Sequence, residues 1–277
     1  MKSAIAPPPA ATPVVASPEP VVEIRGADKV YANGTRALLP VDLTIRSGEF
    51  VTLLGRSGCG KSTLLKMIAN LLTPSSGAIS WWRSGFDHVG EPGKKLVMVF
   101  QDATLMPWAR VQRNVRLPLD LARVPRAEAD ARVAEALALV GLTGFETSYP
   151  RQLSGGMQMR VSIARALVTD PNLLLMDEPF GALDEITRNK LDADLISLWW
   201  KKRLTVAFVT HSIYEAIFLS TRVVVMAARP GRVLKEVTID EPHPRTDAFR
   251  VTQRFAAYAK ELSELLAEAS AKGATDL

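Results

Sequence analysis

The stretch Gly55–Thr63 reads GRSGCGKST, and it lies between the apolar run FVTLL (50–54) and the apolar segment LLKMIANLL (64–72). A strand that leads into a glycine-rich turn and then into an amphipathic helix is the setting of the phosphate-binding loop G-x-x-x-x-G-K-[ST]. The glycines let backbone N–H groups point inward, and the helix that follows adds the positive end of its dipole. The stretch therefore predicts a polyphosphate-binding site.

Each polar side chain of this loop has a predicted partner on the polyphosphate. Lys61 is expected to reach the β- and γ-phosphates, Ser62 to ligate Mg²⁺, and Thr63 to place a hydroxyl near the α-phosphate. The alternative at this point is a glycine-rich turn that binds no ligand. The choice between the two interpretations depends on the other motifs of the chain. The predicted nucleotide-binding residues of the loop are Gly55, Ser57, Gly58, Cys59, Gly60, Lys61, Ser62 and Thr63.

The composition is that of a globular protein. The chain has 277 residues, of which 47% are hydrophobic, and this is enough for the core of one large domain or two small ones. A formal net charge of +5 allows an anionic partner, such as a nucleotide, an anionic lipid or a nucleic acid, without choosing among them. No run approaches the roughly 18 apolar residues of a membrane-spanning helix, so we expect no such helix.

The single cysteine and the first residues bear on the compartment. Cys59 has no partner for an intramolecular disulfide, which favours a reducing, cytoplasmic setting. Its position in the loop suggests sensitivity to thiol reagents, although a small inert filler is the simpler interpretation. Residues 1–20, MKSAIAPPPAATPVVASPEP, contain prolines where a signal peptide needs an unbroken apolar segment. We therefore predict a disordered tail rich in Pro and Ala.

Three regions of different character follow the tail. In residues 21–54, short alternating runs are separated by the turn pairs NG (33–34) and SG (47–48), which predicts an antiparallel β layer with hairpin turns. The segment 105–150 has apolar residues at helical spacing and little strand pattern, which predicts a helical insertion. After residue 153 strands and helices alternate, as is typical of a mostly parallel sheet covered on both faces.

The last apolar residues of the chain share one helical face. We expect this helix to pack on the core, with a partner contact as the alternative. The residues of this face are Val251, Phe255, Tyr258, Leu262 and Leu266.

Two acidic residues follow the apolar run NLLLM (172–176). Asp177 is expected to hold Mg²⁺ through water, because a magnesium–phosphate site needs a carboxylate at the end of a neighbouring strand. Glu178 is placed to accept a proton from the water that attacks the γ-phosphate, a contribution typically of about 10²- to 10⁴-fold in rate. Each acid alone is compatible with a solvated strand end, but together with the loop they predict a catalytic ATPase.

A second anion-binding pattern lies in LSGGMQMRVSIARAL (153–167). Ser154, Gly155 and Gly156 stand at the start of a predicted helix, where backbone N–H groups and the helix dipole favour an anion. A second anion site in one chain suggests that two chains share their nucleotides. At this point the sequence resembles the ATP-binding subunits of ABC transporters, whose LSGGQ signature matches the first four residues of this stretch. Met157 stands where the signature usually has Gln.

The resemblance assigns roles that the patterns alone leave open. It implies that Tyr31 stacks on adenine, that Gln101 contacts Mg²⁺ and the attacking water, and that His211 contacts the γ-phosphate and steadies that water. It also implies that the segment Ala182–Asp184 crosses a dimer interface, with Asp184 among the nucleotide-site residues. Two subunits would pair head to tail, so that each signature covers the γ-phosphate held by the other subunit. Taken alone, a strand tyrosine or a lone histidine is also compatible with a structural role.

The resemblance covers nearly everything from residue 21 to residue 233 and implies a fold. This fold is an α/β P-loop NTPase core of the RecA-like type, with an antiparallel β subdomain and an inserted α-helical subdomain. The implied domains are an ABC ATPase domain over 21–240, whose helical subdomain spans about 105–155, and a C-terminal helical extension over 241–277.

The resemblance further implies a function. It indicates an ATP-hydrolysing subunit of a bacterial importer that works with ATP and Mg²⁺ as a homodimer. Its implied partners are two integral membrane permease subunits and a periplasmic or extracellular solute-binding protein. The implied location is the cytoplasmic face of the inner membrane, as a peripheral subunit.

Three stretches are similar to the nitrate, sulfonate, taurine and bicarbonate importer ATPases. These stretches are MVFQDATLMPWARVQRNV (98–115), PFGALDEITRNKL (179–191) and FVTHSIYEAIFLSTRVVVMAARPGRV (208–233). A pyrimidine-type vitamin precursor is the alternative solute. A soluble ABC ATPase that acts on nucleic acid or ribosomes is the alternative of another class, but the sequence shows none of the coiled-coil insertions, zinc cysteines or paired modules usual there. We therefore expect no nucleic-acid partner.

Overall fold

The computed structural model describes residues 19–82, 85–87, 93–243 and 245–275. The predicted tail over residues 1–20 lies outside these ranges except for its last two residues, and Pro20 already begins a strand. No helix in the described ranges is long and apolar enough to cross a membrane. The strands are β1 (Pro20–Val30), β2 (Arg36–Arg46), β3 (Phe50–Leu54), β4 (Ser76–Trp81), β5 (Leu96–Val99), β6 (Leu173–Asp177), β7 (Thr205–Thr210), β8 (Arg222–Ala227) and β9 (Arg232–Thr238). The helices are α1 (Lys61–Ile68), α2 (Val111–Leu121), α3 (Arg126–Leu139), α4 (Gly155–Leu167), α5 (Glu185–Lys202), α6 (Ile213–Leu219), α7 (Asp247–Arg250) and α8 (Gln253–Thr275).

The core of the protein is a six-stranded sheet in the order β5-β6-β7-β3-β8-β9. Its first five strands are parallel, and β9 pairs with β8 in the antiparallel direction. Every residue of β3 and of β7 is buried, as expected for strands that are covered on both faces. The mostly parallel sheet predicted from the alternation of strands and helices is therefore confirmed, whereas β9 is a strand that the sequence analysis leaves unassigned.

Two apolar clusters lie on opposite faces of this sheet. Successive residues of β3 alternate between them, because side chains along a strand point to opposite faces. Phe50 and Leu54 belong to the cluster formed with the helices α2 to α6, while Val51 and Leu53 belong to the cluster that includes α1 and the small β layer. The sheet is thus covered on both sides.

The small antiparallel layer has the strand order β2-β1-β4. The pair NG (33–34) forms the predicted hairpin turn between β1 and β2, and Gly34 takes a φ of 80° there. The prediction is wrong for the pair SG (47–48): β3 does not return along β2 but pairs with β7 and β8 in the large sheet. The physical reason is burial, because the continuous apolar run FVTLL needs cover on both faces and the half-exposed β layer does not supply it.

The predicted helical insertion contains α2 and α3, which pack on each other and on α4. Their buried residues include Val115 and Leu137, which join the larger apolar cluster. The whole segment 105–150 contains no strand. Its exact extent as a subdomain remains a prediction.

The C-terminal segment forms two helices, α7 and α8, with Thr252 between them. The Thr252 hydroxyl accepts a hydrogen bond from the Phe255 N–H at 3.1 Å, which is how α8 begins. Phe255 and Leu262 are buried and α8 packs on α6 and β8, as predicted. The prediction is wrong for Val251, which precedes α8 and is 87% exposed.

Candidate nucleotide site

The predicted catalytic residues stand at one edge of the large sheet because three parallel strands end there in register. Leu54 of β3 lies beside Thr210 of β7, and Asp177 of β6 lies beside Val209 of β7. The next residues along these strands are Gly55, Glu178 and His211. The carboxyl edge of a parallel sheet is where ligands of such folds bind.

The phosphate loop depends on glycine at two positions of positive φ. Gly58 has a φ of 79° and Gly60 a φ of 89°, a region that glycine enters without strain. A Cβ on Gly60 would lie 2.5 Å from Leu38 Cδ2 and 3.1 Å from the Ala37 carbonyl oxygen, whereas a Cβ on Gly58 would meet nothing within 4 Å. Gly60 is thus fixed by both conformation and packing.

Lys61 is the buried cation of the loop. Its side chain is 4% exposed, and its Nζ donates hydrogen bonds to the carbonyl oxygens of Gly55 at 2.7 Å and Arg56 at 3.2 Å. The same Nζ lies 3.5 Å from Glu178 Oε1. A buried ammonium needs such polar partners, and it is the group that a phosphate oxygen would attract from them.

Ser62 and Asp177 form the part of the site that fits a magnesium ion. The Ser62 hydroxyl donates a hydrogen bond of 2.8 Å to Asp177 Oδ1. Burial raises the pKa of Asp177, while the Ser62 hydrogen bond and Lys66 lower it in part. Hydroxyl and carboxylate oxygens suit Mg²⁺, which takes its remaining ligands from water and phosphate. No group of three or more His, Cys, Asp or Glu side chains in the described ranges forms a metal site by itself.

Glu178 connects the loop with the predicted switch histidine. Its Oε2 lies 2.9 Å from His211 Nδ1, and its Oε1 is the partner of Lys61. Because a carboxylate can only accept, His211 donates from Nδ1. Glu178 has a φ of 46°, which is rare for a residue with a side chain, and its N–H donates to the Val209 carbonyl oxygen at 3.0 Å. Strained positions of this kind cluster at functional sites.

Tyr31 and Gln101 flank this arrangement. The Tyr31 hydroxyl lies 3.3 Å from Thr63 Oγ1, the residue is 40% exposed, and the Lys29 ammonium lies 5.8 Å from the ring centroid. Gln101 is exposed and follows β5, whose residue Val99 lies beside Met176 of β6. Gln101 therefore stands at the same edge as Glu178, one strand further out.

The signature residues lie at the start of α4. Ser154 caps this helix by accepting a hydrogen bond from the Met157 N–H at 3.3 Å. A Cβ on Gly155 would lie 3.5 Å from Leu183 Cδ2, and one on Gly156 would lie 2.8 Å from Thr187 Cγ2. The signature thus packs against Leu183 and the first turn of α5.

Asp184 stands at the start of α5. Its carboxylate accepts a hydrogen bond of 2.9 Å from the Thr187 N–H, and this bond lowers the pKa of Asp184. In the described part of the chain, no hydrogen bond or ion pair joins Ser154 or Asp184 to the phosphate loop. One chain alone therefore does not bring all the predicted site residues together.

Cys59 is 1% exposed, and burial raises the pKa of its thiol. A protonated, buried thiol is unreactive, which favours the interpretation of an inert filler over sensitivity to thiol reagents. Its N–H donates to the Arg56 carbonyl oxygen at 3.3 Å, so the contribution of Cys59 to the loop is made by its backbone.

Three polar residues near the site were not predicted from the sequence. Glu215 is buried in the first turn of α6 and accepts a short hydrogen bond from the Thr210 hydroxyl. Arg188 of α5 lies 3.7 Å from Glu215 Oε1. The spacing of Glu215 four residues after His211 is visible in the sequence, but its burial is not.

A cavity of about 470 Å³ lies away from this site, between α2 and α3, and is lined by charged residues. Arg116 in it makes hydrogen bonds of 2.7 Å with both Asp120 and Asp130.

The sequence profile of the ABC transporter family matches residues 38–181. The chain belongs to this family. The match includes the phosphate loop, the signature and the acids Asp177 and Glu178 at the end of β6. The chain is thus an ABC ATP-binding domain that binds ATP, and it is an ATPase.

Curated relatives agree with this assignment. An aliphatic sulfonates import ATP-binding protein of Bacillus cereus is 44% identical over 228 residues, which cover 81% of this chain and 88% of the relative. A taurine import ATP-binding protein of Rhizobium johnstonii is 49% identical over 210 residues, which cover 76% of this chain and 79% of the relative. Both names belong to the importer branch that the sequence resembles.

A solved structure has the same fold. It is a dimeric ATP-binding cassette in a post-hydrolysis state, bound to ADP and Pi, and it matches with a TM-score of 0.68 and 34% sequence identity. The match covers 80% of this chain and all of the solved one. The P-loop NTPase fold predicted from the sequence is therefore confirmed.

Proposed function

We propose that this chain is the ATP-hydrolysing subunit of a bacterial ABC importer for a small solute with a sulfonate group, with aliphatic sulfonates and taurine as the first candidates. The observation that carries the chemistry is the set of contacts Lys61–Glu178–His211 beside the Ser62–Asp177 pair, at the edge where the phosphate loop opens. The proposed solute class is supported by the names of two relatives, the aliphatic sulfonates import protein and the taurine import protein.

Lys61 is proposed to hold the Glu178 side chain until ATP binds. In the structure its ammonium lies 3.5 Å from the Glu178 carboxylate. When ATP binds, its phosphate oxygens attract Lys61. Glu178 then loses this ionic partner, and its carboxylate is free to accept a hydrogen bond from the attacking water and to take its proton.

His211 and Glu178 are proposed to act as a pair. Their hydrogen bond of 2.9 Å holds the exposed imidazole at the base. Ser62 and Asp177, with Gln101 at the next strand end, would hold Mg²⁺, which when bound neutralises phosphate charge. Tyr31, which is partly exposed beside the end of the loop, is proposed to stack on adenine.

A second copy of the chain is proposed to complete each site. The γ-phosphate needs donors on its outer side, and the N-terminus of α4 supplies backbone N–H groups and the capping hydroxyl of Ser154. The similarity to a dimeric cassette bound to ADP and Pi supports this arrangement. A homodimer that closes on ATP and opens after hydrolysis would then undergo a cyclic conformational change.

This conformational change is proposed to be passed to two integral membrane permease subunits, which receive the solute from a solute-binding protein. The segment after Gln101 carries Trp108, which is 77% exposed and borders the helical insertion. An exposed tryptophan is a frequent anchor of protein interfaces. The chain would lie as a peripheral subunit on the cytoplasmic face of the inner membrane.

The test is reconstitution of the chain in lipid vesicles with the integral membrane proteins that copurify with it. ATP hydrolysis is measured with binding proteins loaded with taurine, an alkanesulfonate, nitrate or a pyrimidine, and with the same binding proteins unloaded. Stimulation by the taurine- or sulfonate-loaded protein alone supports the proposal. Stimulation only by the nitrate- or pyrimidine-loaded protein contradicts the solute class, and stimulation by DNA or ribosomes without membrane partners contradicts the transport function.

A further inference from the structure

Glu215 is a buried carboxylate directly behind the predicted switch histidine. It is 4% exposed, and it accepts a short hydrogen bond from the hydroxyl of Thr210, the residue before His211. The Thr210 oxygen in turn accepts a hydrogen bond of 2.9 Å from the N–H of Ser212, the residue after His211. One hydroxyl, oriented by Glu215, therefore ties together the two neighbours of His211.

This link between Thr210 and Ser212 matters because much of the His211 side chain is exposed to solvent. The side chain is 50% exposed, and its Nδ1 lies 2.9 Å from Glu178. The direction of an exposed ring follows its backbone, so the turn 210–212 decides whether the ring meets Glu178. The Ser212 hydroxyl also accepts a hydrogen bond of 3.3 Å from the Glu215 N–H, which closes the turn onto α6.

Glu215 also reaches the segment that follows Glu178. Arg188 lies 3.7 Å from Glu215 Oε1, and it donates hydrogen bonds to the carbonyl oxygens of Phe180 at 3.3 Å and Leu183 at 2.8 Å. Burial raises the pKa of Glu215, and the Thr210 hydrogen bond and Arg188 oppose this effect. The carboxylate thus stands between the histidine turn and the backbone after the catalytic base.

We infer that Glu215 is a positioning residue for ATP hydrolysis. Through the Thr210 hydroxyl it fixes His211 against Glu178, and through Arg188 it fixes the segment from Phe180 to Leu183. This inference rests on the proposed role of His211 in hydrolysis. It predicts that loss of the tie slows the chemical step and leaves ATP binding unchanged.

The test compares Thr210→Val, which removes the hydroxyl at nearly constant volume, with Thr210→Ser, which keeps it. We expect Thr210→Val to lower kcat about tenfold or more, because the hydrogen bonds of the hydroxyl with both Glu215 and Ser212 are lost, with an unchanged Kd for ATP. Thr210→Ser should stay within about twofold of the parent, because the hydroxyl alone supplies the tie. A parent-like kcat for Thr210→Val, or an equal loss in Thr210→Ser, overturns the inference.

A double-mutant cycle separates positioning from general stability. Glu215→Ala and Thr210→Val should be non-additive, so that the double variant is no slower than the slower single variant. Multiplying losses would mean that the two residues act independently, which also overturns the inference. If Glu215→Ala does not fold, the comparison of Thr210→Val with Thr210→Ser still tests whether the hydroxyl that Glu215 orients is needed for hydrolysis.

Two further variants complete the design. Thr169→Val is the matched control, because Thr169 is as buried as Thr210, and its hydroxyl donates a hydrogen bond of 2.7 Å to the Ala166 carbonyl oxygen and none to the turn 210–212. It should change the thermal unfolding midpoint without changing kcat, whereas a tenfold loss of kcat would mean that the loss of any buried hydroxyl slows hydrolysis. His211→Ala tests the underlying proposal: parent-like kcat in this variant refutes the role of His211, whereas loss here with none in Thr210→Val refutes only the role of Glu215.

Discussion

Replacement of Gly60 by alanine tests the packing of the phosphate loop. Gly60 has a φ of 89°, and the left-handed region costs an L-residue about 1–2 kcal/mol. The new Cβ would also lie 2.5 Å from Leu38 Cδ2 and 3.1 Å from the Ala37 carbonyl oxygen, and overpacking of this kind costs about 1–3 kcal/mol. We therefore expect Gly60→Ala to lower the free energy of unfolding by about 2–5 kcal/mol.

Gly58→Ala is the matched control. Gly58 has a φ of 79°, but its added Cβ would meet nothing within 4 Å, so only the conformational term of about 1–2 kcal/mol applies. The difference between the two variants measures the steric term. It should shrink when both variants are measured in a Leu38→Ala background, because the shorter side chain leaves room for the new methyl group.

The assay is equilibrium unfolding in urea, together with binding of a fluorescent ATP analogue to the folded variants. Gly60→Ala should be the less stable variant and should bind the analogue more weakly than Gly58→Ala. Equal unfolding free energies for the two variants would refute the reasoning, because the contact with Leu38 would then contribute nothing.

Two other variants test the charges of the site and of the C-terminal segment. Lys61→Ala should weaken ATP binding by about 10- to 100-fold, since hydrogen bonds to a charged group contribute about 1.5–3 kcal/mol. The control Lys201→Ala, which changes an exposed lysine, should bind ATP like the parent. Unchanged affinity of Lys61→Ala for ATP would mean that the loop is not the phosphate site. Burial lowers the pKa of His243 from its ordinary value to about 4, so the folded protein excludes a proton that the unfolded chain binds, and the stability present above about pH 6.5 is lost as the pH falls toward 4. His243→Phe should keep the ring contact with Trp199 and reduce this loss of stability by about 1–2 kcal/mol, a figure discounted for the partial exposure of the residue. The measurement compares urea unfolding at pH 7.5 and pH 5. An unchanged pH dependence would contradict the lowered pKa of His243.

The sequence predicts the local geometry of the candidate site. The phosphate loop, the acids Asp177 and Glu178 at the end of β6, and the start of α4 each depend on a short pattern whose geometry is set by neighbouring residues. Glycines 58 and 60 take the positive φ that the loop requires, and Asp177 meets Ser62 because two parallel strands end together.

The parts that depend on distant contacts were not predicted from the sequence. The run FVTLL reads as a strand, but nothing within it says that its partners are β7 and β8 rather than β2. Val251 fits a helical pattern, yet the chain turns at Thr252 and leaves it exposed. The burial of Glu215 between Thr210 and Arg188 depends on contacts between separate elements, so it is seen only in the assembled fold.

The most direct test of the proposed catalytic cycle is the association state of Glu178→Gln with Mg²⁺ and ATP, measured by light scattering during size-exclusion chromatography. The account predicts that this variant binds ATP, does not hydrolyse it, and elutes with twice the mass of the 30.2 kDa chain. A second substitution, Ser154→Arg, should abolish the dimer and leave ATP binding to each chain intact. Hydrolysis at the parent rate would contradict the role of Glu178 as base, and a monomer with ATP bound would contradict the shared site.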